Sequence, residues 1–180
     1  GTLIRKKGVL DLAHIFNRVI KENKTAKLTI LGRDSIDILT KKSTLSLFEE
    51  ILSNEALKNF NYIPNVPYNE VRKYIRCSEV VLFPSFAEAF PMTWLEAMSM
   101  EKKIVTSNIG WAKELMIDGE TGFTVFPTNH EIFAARVQQL FDDDEYALIM
   151  AKNARKRILE HFSHEKIINQ NIEFYKSVVQ

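Results

Sequence analysis

Glu88 and Glu96 stand eight residues apart with Pro91 between them, in the segment Pro84-Ser85-Phe86-Ala87-Glu88-Ala89-Phe90-Pro91-Met92-Thr93-Trp94-Leu95-Glu96. On one continuous helix the two carboxylates would lie roughly 12 Å apart along the axis. Pro91 argues for a different arrangement, because proline suits the first turn of a helix and disfavours helix in the residue before it. Glu88 is then expected in a loop and Glu96 about one turn into the helix, so that both face one pocket. The apolar run Val80-Val81-Leu82-Phe83 just before the segment reads as a buried strand. In open α/β sheets the carboxyl end of a strand and the start of the next helix hold ligands. Amides left unsatisfied at a helix start favour anions there. Taken alone, two glutamates at this spacing describe a solvated helix face better than a site.

The elements that must position these residues alternate along the chain. Leu3-Ile4 reads as the end of a strand, followed by the basic turn Arg5-Lys6-Lys7-Gly8 and a helix with Val9, Leu12, Ala13, Phe16, Val19 and Ile20 at helical spacing. Strands are expected at 27–31, 59–63, 79–83, 103–106 and 123–126, and helices at 44–57, 69–76, after Pro91, and 112–116. This order predicts an α/β fold: one domain over residues 1–180, with a parallel sheet of about six strands and helices on both faces. The last third is helical. Thr128-Asn129-His130-Glu131 reads as a capping box, and further helices are expected at 145–161 and 163–179. Asp142-Asp143-Asp144 suits a solvated turn at a helix start better than a metal cluster. Lys152, Arg155, Lys156 and Arg157 suit a wet helix face better than an anionic membrane.

Composition sets the outer bounds. With 180 residues and 46% hydrophobic content, the chain can bury a substantial core. Lys plus Arg (24) nearly cancel Asp plus Glu (23), so bulk attraction to nucleic acid is not indicated. No apolar run approaches the roughly 20 residues needed to span a bilayer. A single cysteine, Cys77, excludes an internal disulfide, fits a reducing compartment, and is expected as a small buried hydrophobe. The four histidines are scattered without zinc-ligand spacing, so no protein-held metal and no other cofactor is expected.

Ordered motifs identify a family resemblance. Pro84-Ser85, Glu88, Phe90, Pro91, Glu96 and Ala97-Met98 are followed by Lys103-Ile104-Val105-Thr106-Ser107, Gly110-Trp111, Glu114 and Asp118-Gly119-Glu120-Thr121-Gly122-Phe123. In this order they resemble the nucleotide-sugar signature of family 4 of the retaining glycosyltransferases, which have the GT-B fold. The resemblance extends from Gly1 to about Pro127 and continues more loosely to the C-terminus. It implies a Rossmann-like sheet that forms the C-terminal, donor-binding half of a GT-B fold, with an N-terminal acceptor domain missing from this chain.

The resemblance also implies roles. Lys7, before Gly8, matches a phosphate-contacting lysine, and Arg5 is a candidate second phosphate cation. Glu88 would contact the donor sugar as the catalytic-site carboxylate, and Glu96 the ribose hydroxyls. The helix-start amides of Met92 and Thr93, with the Thr93 hydroxyl, would face the phosphates, and Asn65-Val66 would cup the base. Phe90 is either a stacking platform or, as preferred, a packing residue. Glu114 occupies a motif position with no assigned role. Fixed cations and N–H dipoles near a leaving diphosphate stabilise its developing charge, and paired carboxylate oxygens match a vicinal diol.

Some positions depart from the pattern. Thr2 stands where the family often has Arg, and Pro91, Pro64 and Trp111 replace frequent glycines. Three readings follow. The leading one is the donor-binding domain of a retaining, metal-independent glycosyltransferase that takes a UDP- or GDP-linked sugar to a glycan, lipid or other acceptor. Such a domain is expected to be inactive alone, and to lie in the cytoplasm or at the inner membrane face. The alternatives are a nucleotide-sugar epimerase and an interaction module that keeps the fold without catalysis.

Overall fold

The computed structural model describes residues 1–110 and 112–179; the motif residue Trp111 lies outside them. After a short 3-10 turn, Arg5–Lys7, the elements are α1 (Val9–Glu22), β1 (Leu28–Leu31), α2 (Thr44–Ile51), α3 (Asn54–Lys58), β2 (Phe60–Ile63), α4 (Tyr68–Cys77), β3 (Val80–Phe83) and α5 (Met92–Ser99). They continue with β4 (Lys103–Ser107), α6 (Ala112–Leu115), β5 (Phe123–Val125), α7 (His130–Asp142), α8 (Asp144–His161) and α9 (His164–Val178).

All strand pairs are parallel. β1 pairs with β2, and β4 lies between β3 and β5. The expected sheet of about six strands is therefore corrected to five strands in two sheets among the described residues. The segment read as a first strand forms only a bridge, Thr2 to Arg33. It is tied to the end of β1 by Leu3 N–H to Arg33 O at 2.8 Å and Arg33 N–H to Gly1 O at 2.9 Å. Beyond Leu3 the chain turns at once into Arg5–Lys7, so the ladder has no room to extend.

Side-chain alternation along the strands explains the helices on both faces. Val80 and Leu82 of β3, with Val105 of β4, pack into a core with Phe16, Phe48, Phe133 and Leu140 from α1, α2 and α7. Val81, Phe83 and Ile104 face the other way, into a core with Ile75, Trp94, Leu115 and Ile158 from α4, α5, α6 and α8. Strand residues apolar on both sides are the mark of a parallel sheet covered on each face.

Other expectations are corrected locally. The helix expected over 44–57 is broken at Leu52-Ser53. Leu52 is extended and the Ser53 hydroxyl caps α3, while Asn17 holds the break by bonding Ile51 O and Ser53 N. Asn129, not Thr128, caps α7, accepting from Ile132 N. Asp143 caps α8, accepting from Tyr146 N, in keeping with a helix-start turn. Cys77 is exposed rather than buried, because it ends α4 beyond the stripe that buries Ile75. Arg155 and Arg157 of α8 bond the carbonyls of Ser99 and Leu115, which fastens α8 to α5 and α6. No helix among the described residues is long and apolar enough to cross a membrane.

Candidate functional site

The site begins at Gly8. Its φ of 68° is left-handed, and a Cβ there would fall 1.8 Å from the carbonyl oxygen of Pro84. Only glycine lets the turn before α1 press against the end of β3 in this way. Phe86 N–H then donates to Lys6 O at 2.8 Å, joining the two loops. Pro84 and Ser85 are buried beneath them. The result brings two predicted residues together across 81 positions of sequence: Lys7 Nζ donates to Glu88 Oε1 at 2.5 Å. The Lys7 side chain is 39% exposed and that of Glu88 17%, so the pair is reachable yet ordered. An ammonium has three donors. One is used by Glu88, which leaves capacity for an anion.

Pro91 stands at the N-cap of α5, and no side chain caps that helix. Its first amides, Met92 and Thr93, are among those a helix cannot satisfy internally. Both residues are exposed, while Trp94 anchors the helix at 2% exposure. Glu88 thus lies in the loop and Glu96 one turn into the helix, as the proline implied.

Glu96 has a different partner from Glu88. It accepts a hydrogen bond from the hydroxyl of Tyr68, at the start of α4, and that bond holds the phenol proton, raising the Tyr68 pKa. Tyr68 was not anticipated. Its signal is faint: it follows Pro67 directly, but nothing in the spacing links it to Glu96. Asn65 and Val66, in the β2–α4 loop just before Tyr68, are exposed and half-buried respectively.

Arg5 does not join Lys7. It forms a two-point pair with Asp37, Nε to Oδ1 at 2.6 Å and Nη2 to Oδ2 at 3.1 Å. The Arg5 hydrogen bond, with those from Thr40, holds Asp37 well below the usual carboxylate range although burial opposes it. Phe90 packs beside Phe162, ring centroids 6.2 Å apart, while remaining partly exposed. The Glu114 side chain is exposed, and Arg157 bonds its backbone carbonyl. A cavity of about 320 Å³ lined by Arg5, Lys6, Leu10, Asp11 and Phe86 adjoins the turn but includes neither Lys7 nor the two glutamates. Among the described residues, no group of three or more His, Cys, Asp or Glu is disposed to hold a metal.

Parallel α/β sheets flanked by helices, with a cationic turn and a proline-opened helix at a strand's carboxyl end, define a class of α/β domain that holds its ligands at that edge. The particular family follows from comparison: residues 1–157 match the family described as glycosyl transferases group 1, and the chain belongs to it. It is similar to the trehalose synthase of Thermococcus litoralis, 31% identical over 94% of this chain and 40% of that protein. Its fold matches Anabaena Alr3699/HepE, solved in complex with UDP, with a TM-score of 0.84 at 19% identity, covering 98% of this chain and 47% of that one. It also matches the C-terminal domain of a glycosyl transferase group 1 family protein (LpcC) from Francisella tularensis, with a TM-score of 0.80 at 19% identity, over 91% of this chain and 84% of that one. The chain spans less than half the length of the trehalose synthase it matches.

Proposed function

We propose that this chain is the donor-binding domain of a retaining, metal-independent glycosyltransferase of family 4 that uses a UDP- or GDP-linked sugar. The observation that carries the reading is the Lys7–Glu88 pair, held by the Gly8–Pro84 contact beside the open start of α5. Lys7 and the amides of Met92 and Thr93 bind the diphosphate, where negative charge grows as the glycosidic C–O bond breaks; fixed donors stabilise that charge without reorganising. Glu88 accepts from sugar hydroxyls and orients the anomeric carbon. Glu96 accepts from the ribose diol, taking those hydroxyls in exchange for the Tyr68 hydroxyl. Arg5 is held by Asp37 and contributes through the shape of the turn.

Transfer needs acceptor and donor held together, so the chain alone is expected to bind donor but not to turn it over. The cytoplasm or inner membrane face remains the proposed location, with an acceptor-binding domain as the partner. Calorimetry of the chain with UDP, GDP, ADP and their sugars tests the reading. A uridine or guanosine diphosphate sugar should bind and Lys7→Ala should abolish most of the affinity; no binding of any nucleotide diphosphate would favour the interaction-module alternative.

A further inference from the structure

The two loops that carry the Lys7–Glu88 pair also line the cavity of about 320 Å³ bounded by Arg5, Lys6, Leu10, Asp11 and Phe86. That volume lies near the lower end of small-molecule pockets, roughly 300–1,000 Å³. Lys6 precedes Lys7, and Phe86 stands two residues before Glu88. The Phe86 N–H to Lys6 O bond of 2.8 Å ties these two walls together. An occupant of the cavity therefore lies beside the carboxylate proposed to orient the donor sugar.

The walls combine three chemistries. Phe86 is 39% exposed and with Leu10 supplies apolar surface; an aromatic face carries partial negative charge and attracts polarised C–H groups. Asp11 meets His130 Nε2 through Oδ1 at 2.8 Å, each side chain 19% exposed, which fixes the carboxylate and leaves Oδ2 as an acceptor. His14 stacks on His130, ring centroids 5.0 Å apart, and braces that pair. Arg5 commits Nε and Nη2 to Asp37 and retains Nη1, and Lys6 adds an exposed ammonium, so the same walls hold donors.

Ligand classes fit this mixture unequally. An inorganic anion gains from Lys6 but is opposed by Asp11, while Arg5 is already paired with Asp37. A cation gains from Asp11 and is opposed by Lys6 and Arg5. A hydrocarbon chain covers Phe86 and Leu10 but strips water from Asp11 and Lys6 without replacing it. A pyranose ring satisfies every wall: its C–H face rests on Phe86, and its hydroxyls donate to Asp11 and accept from Lys6 and Arg5. We propose that this cavity is the acceptor's saccharide subsite, so that the group glycosylated is a sugar ring seated against Phe86. The inference rests on the donor reading, which makes the neighbouring Glu88 the place of transfer.

Amide NMR shifts of the isotope-labelled chain test it. The chain is saturated with UDP or GDP, and methyl glycosides of glucose, mannose, galactose and N-acetylglucosamine are then titrated in, where a single ring is expected to bind in about the millimolar range. At least one should shift the amides of Lys6, Leu10, Asp11 and Phe86 and leave Phe174, on the exposed helix α9, unmoved. Phe86→Ala should weaken that glycoside about tenfold, and Lys6→Met about threefold. Both side chains are exposed, so the thermal midpoint should stay at the wild-type value. No response at these residues to any of the four glycosides, or one that Phe86→Ala leaves at full strength, would overturn the proposal. Displacement of the glycoside by inorganic phosphate would overturn it in favour of an anion site. Displacement by the matching nucleotide sugar would overturn it by making the cavity the donor's own. Shifts of Met92 and Thr93 on adding UDP or GDP report the donor reading separately; their absence would overturn the acceptor role even with the glycoside response intact.

Discussion

The two carboxylates of the site are held by opposite kinds of partner. Glu88 lies in a loop and is paired with a cation, Lys7, from a turn 81 positions earlier. That pairing exists only because the backbone at Gly8 packs against Pro84. Glu96 lies on a helix and is bonded to a neutral phenol, Tyr68, that is itself 76% exposed. A half-exposed ion pair contributes at most about 1 kcal/mol to stability, so the Lys7–Glu88 pair is better understood as fixing two groups than as holding the fold. The exposed Tyr68 can rotate away at little cost, which suits the exchange of partners proposed for Glu96. One half of the site is set by tertiary packing, and the other is latched by one exposed side chain.

The sharpest way to break the first half is Gly8→Ala. A Cβ in a left-handed position against the Pro84 carbonyl should cost about 2 kcal/mol or more, seen as a thermal midpoint several degrees lower, with loss of nucleotide binding. Lys7→Ala leaves the backbone intact and should weaken binding of a nucleotide diphosphate roughly tenfold to a hundredfold by calorimetry, since charge-assisted bonds to phosphate are lost. Asp37→Asn probes the turn through Arg5. The folded-state pKa of Asp37 is depressed, so its contribution is present above the ordinary carboxylate range and is lost as pH falls through and below it. The thermal midpoint of Asp37→Asn should lie below wild type at neutral pH, and the gap should narrow below about pH 4. Tyr68→Phe should have the smallest effect, changing UDP affinity by no more than about threefold, because it removes a bond that ribose hydroxyls replace. A larger loss would make Tyr68 a direct ligand rather than a latch.

Much of this arrangement was legible in the sequence, for local reasons. Pro91 placed Glu88 and Glu96 on either side of a helix start, and apolar strands flanked by helical periodicity gave the parallel α/β order. The Lys7–Glu88 contact was reachable only through the family resemblance, because a pairing across 81 positions leaves no periodic trace. Arg5 was expected to face phosphate; its capture by Asp37 depends on a hairpin whose inward-turned acid looks in sequence like any solvated loop residue. Tyr68 was missed for the same reason. The break at Leu52-Ser53 escaped notice because its determinant, Asn17, lies on another helix. Cys77 was misplaced because residue type, rather than its position at the end of α4, decided the expectation.

The division of labour between the two carboxylates is tested most directly by calorimetry of Glu88→Ala and Glu96→Ala with bare UDP or GDP and with the matching nucleotide sugar. Glu96→Ala should weaken the bare nucleotide about tenfold. Glu88→Ala should leave it unchanged or tighter, since Lys7 is released, and should erase the added affinity for the sugar-bearing form. Equal weakening of the bare nucleotide by both substitutions would contradict the account.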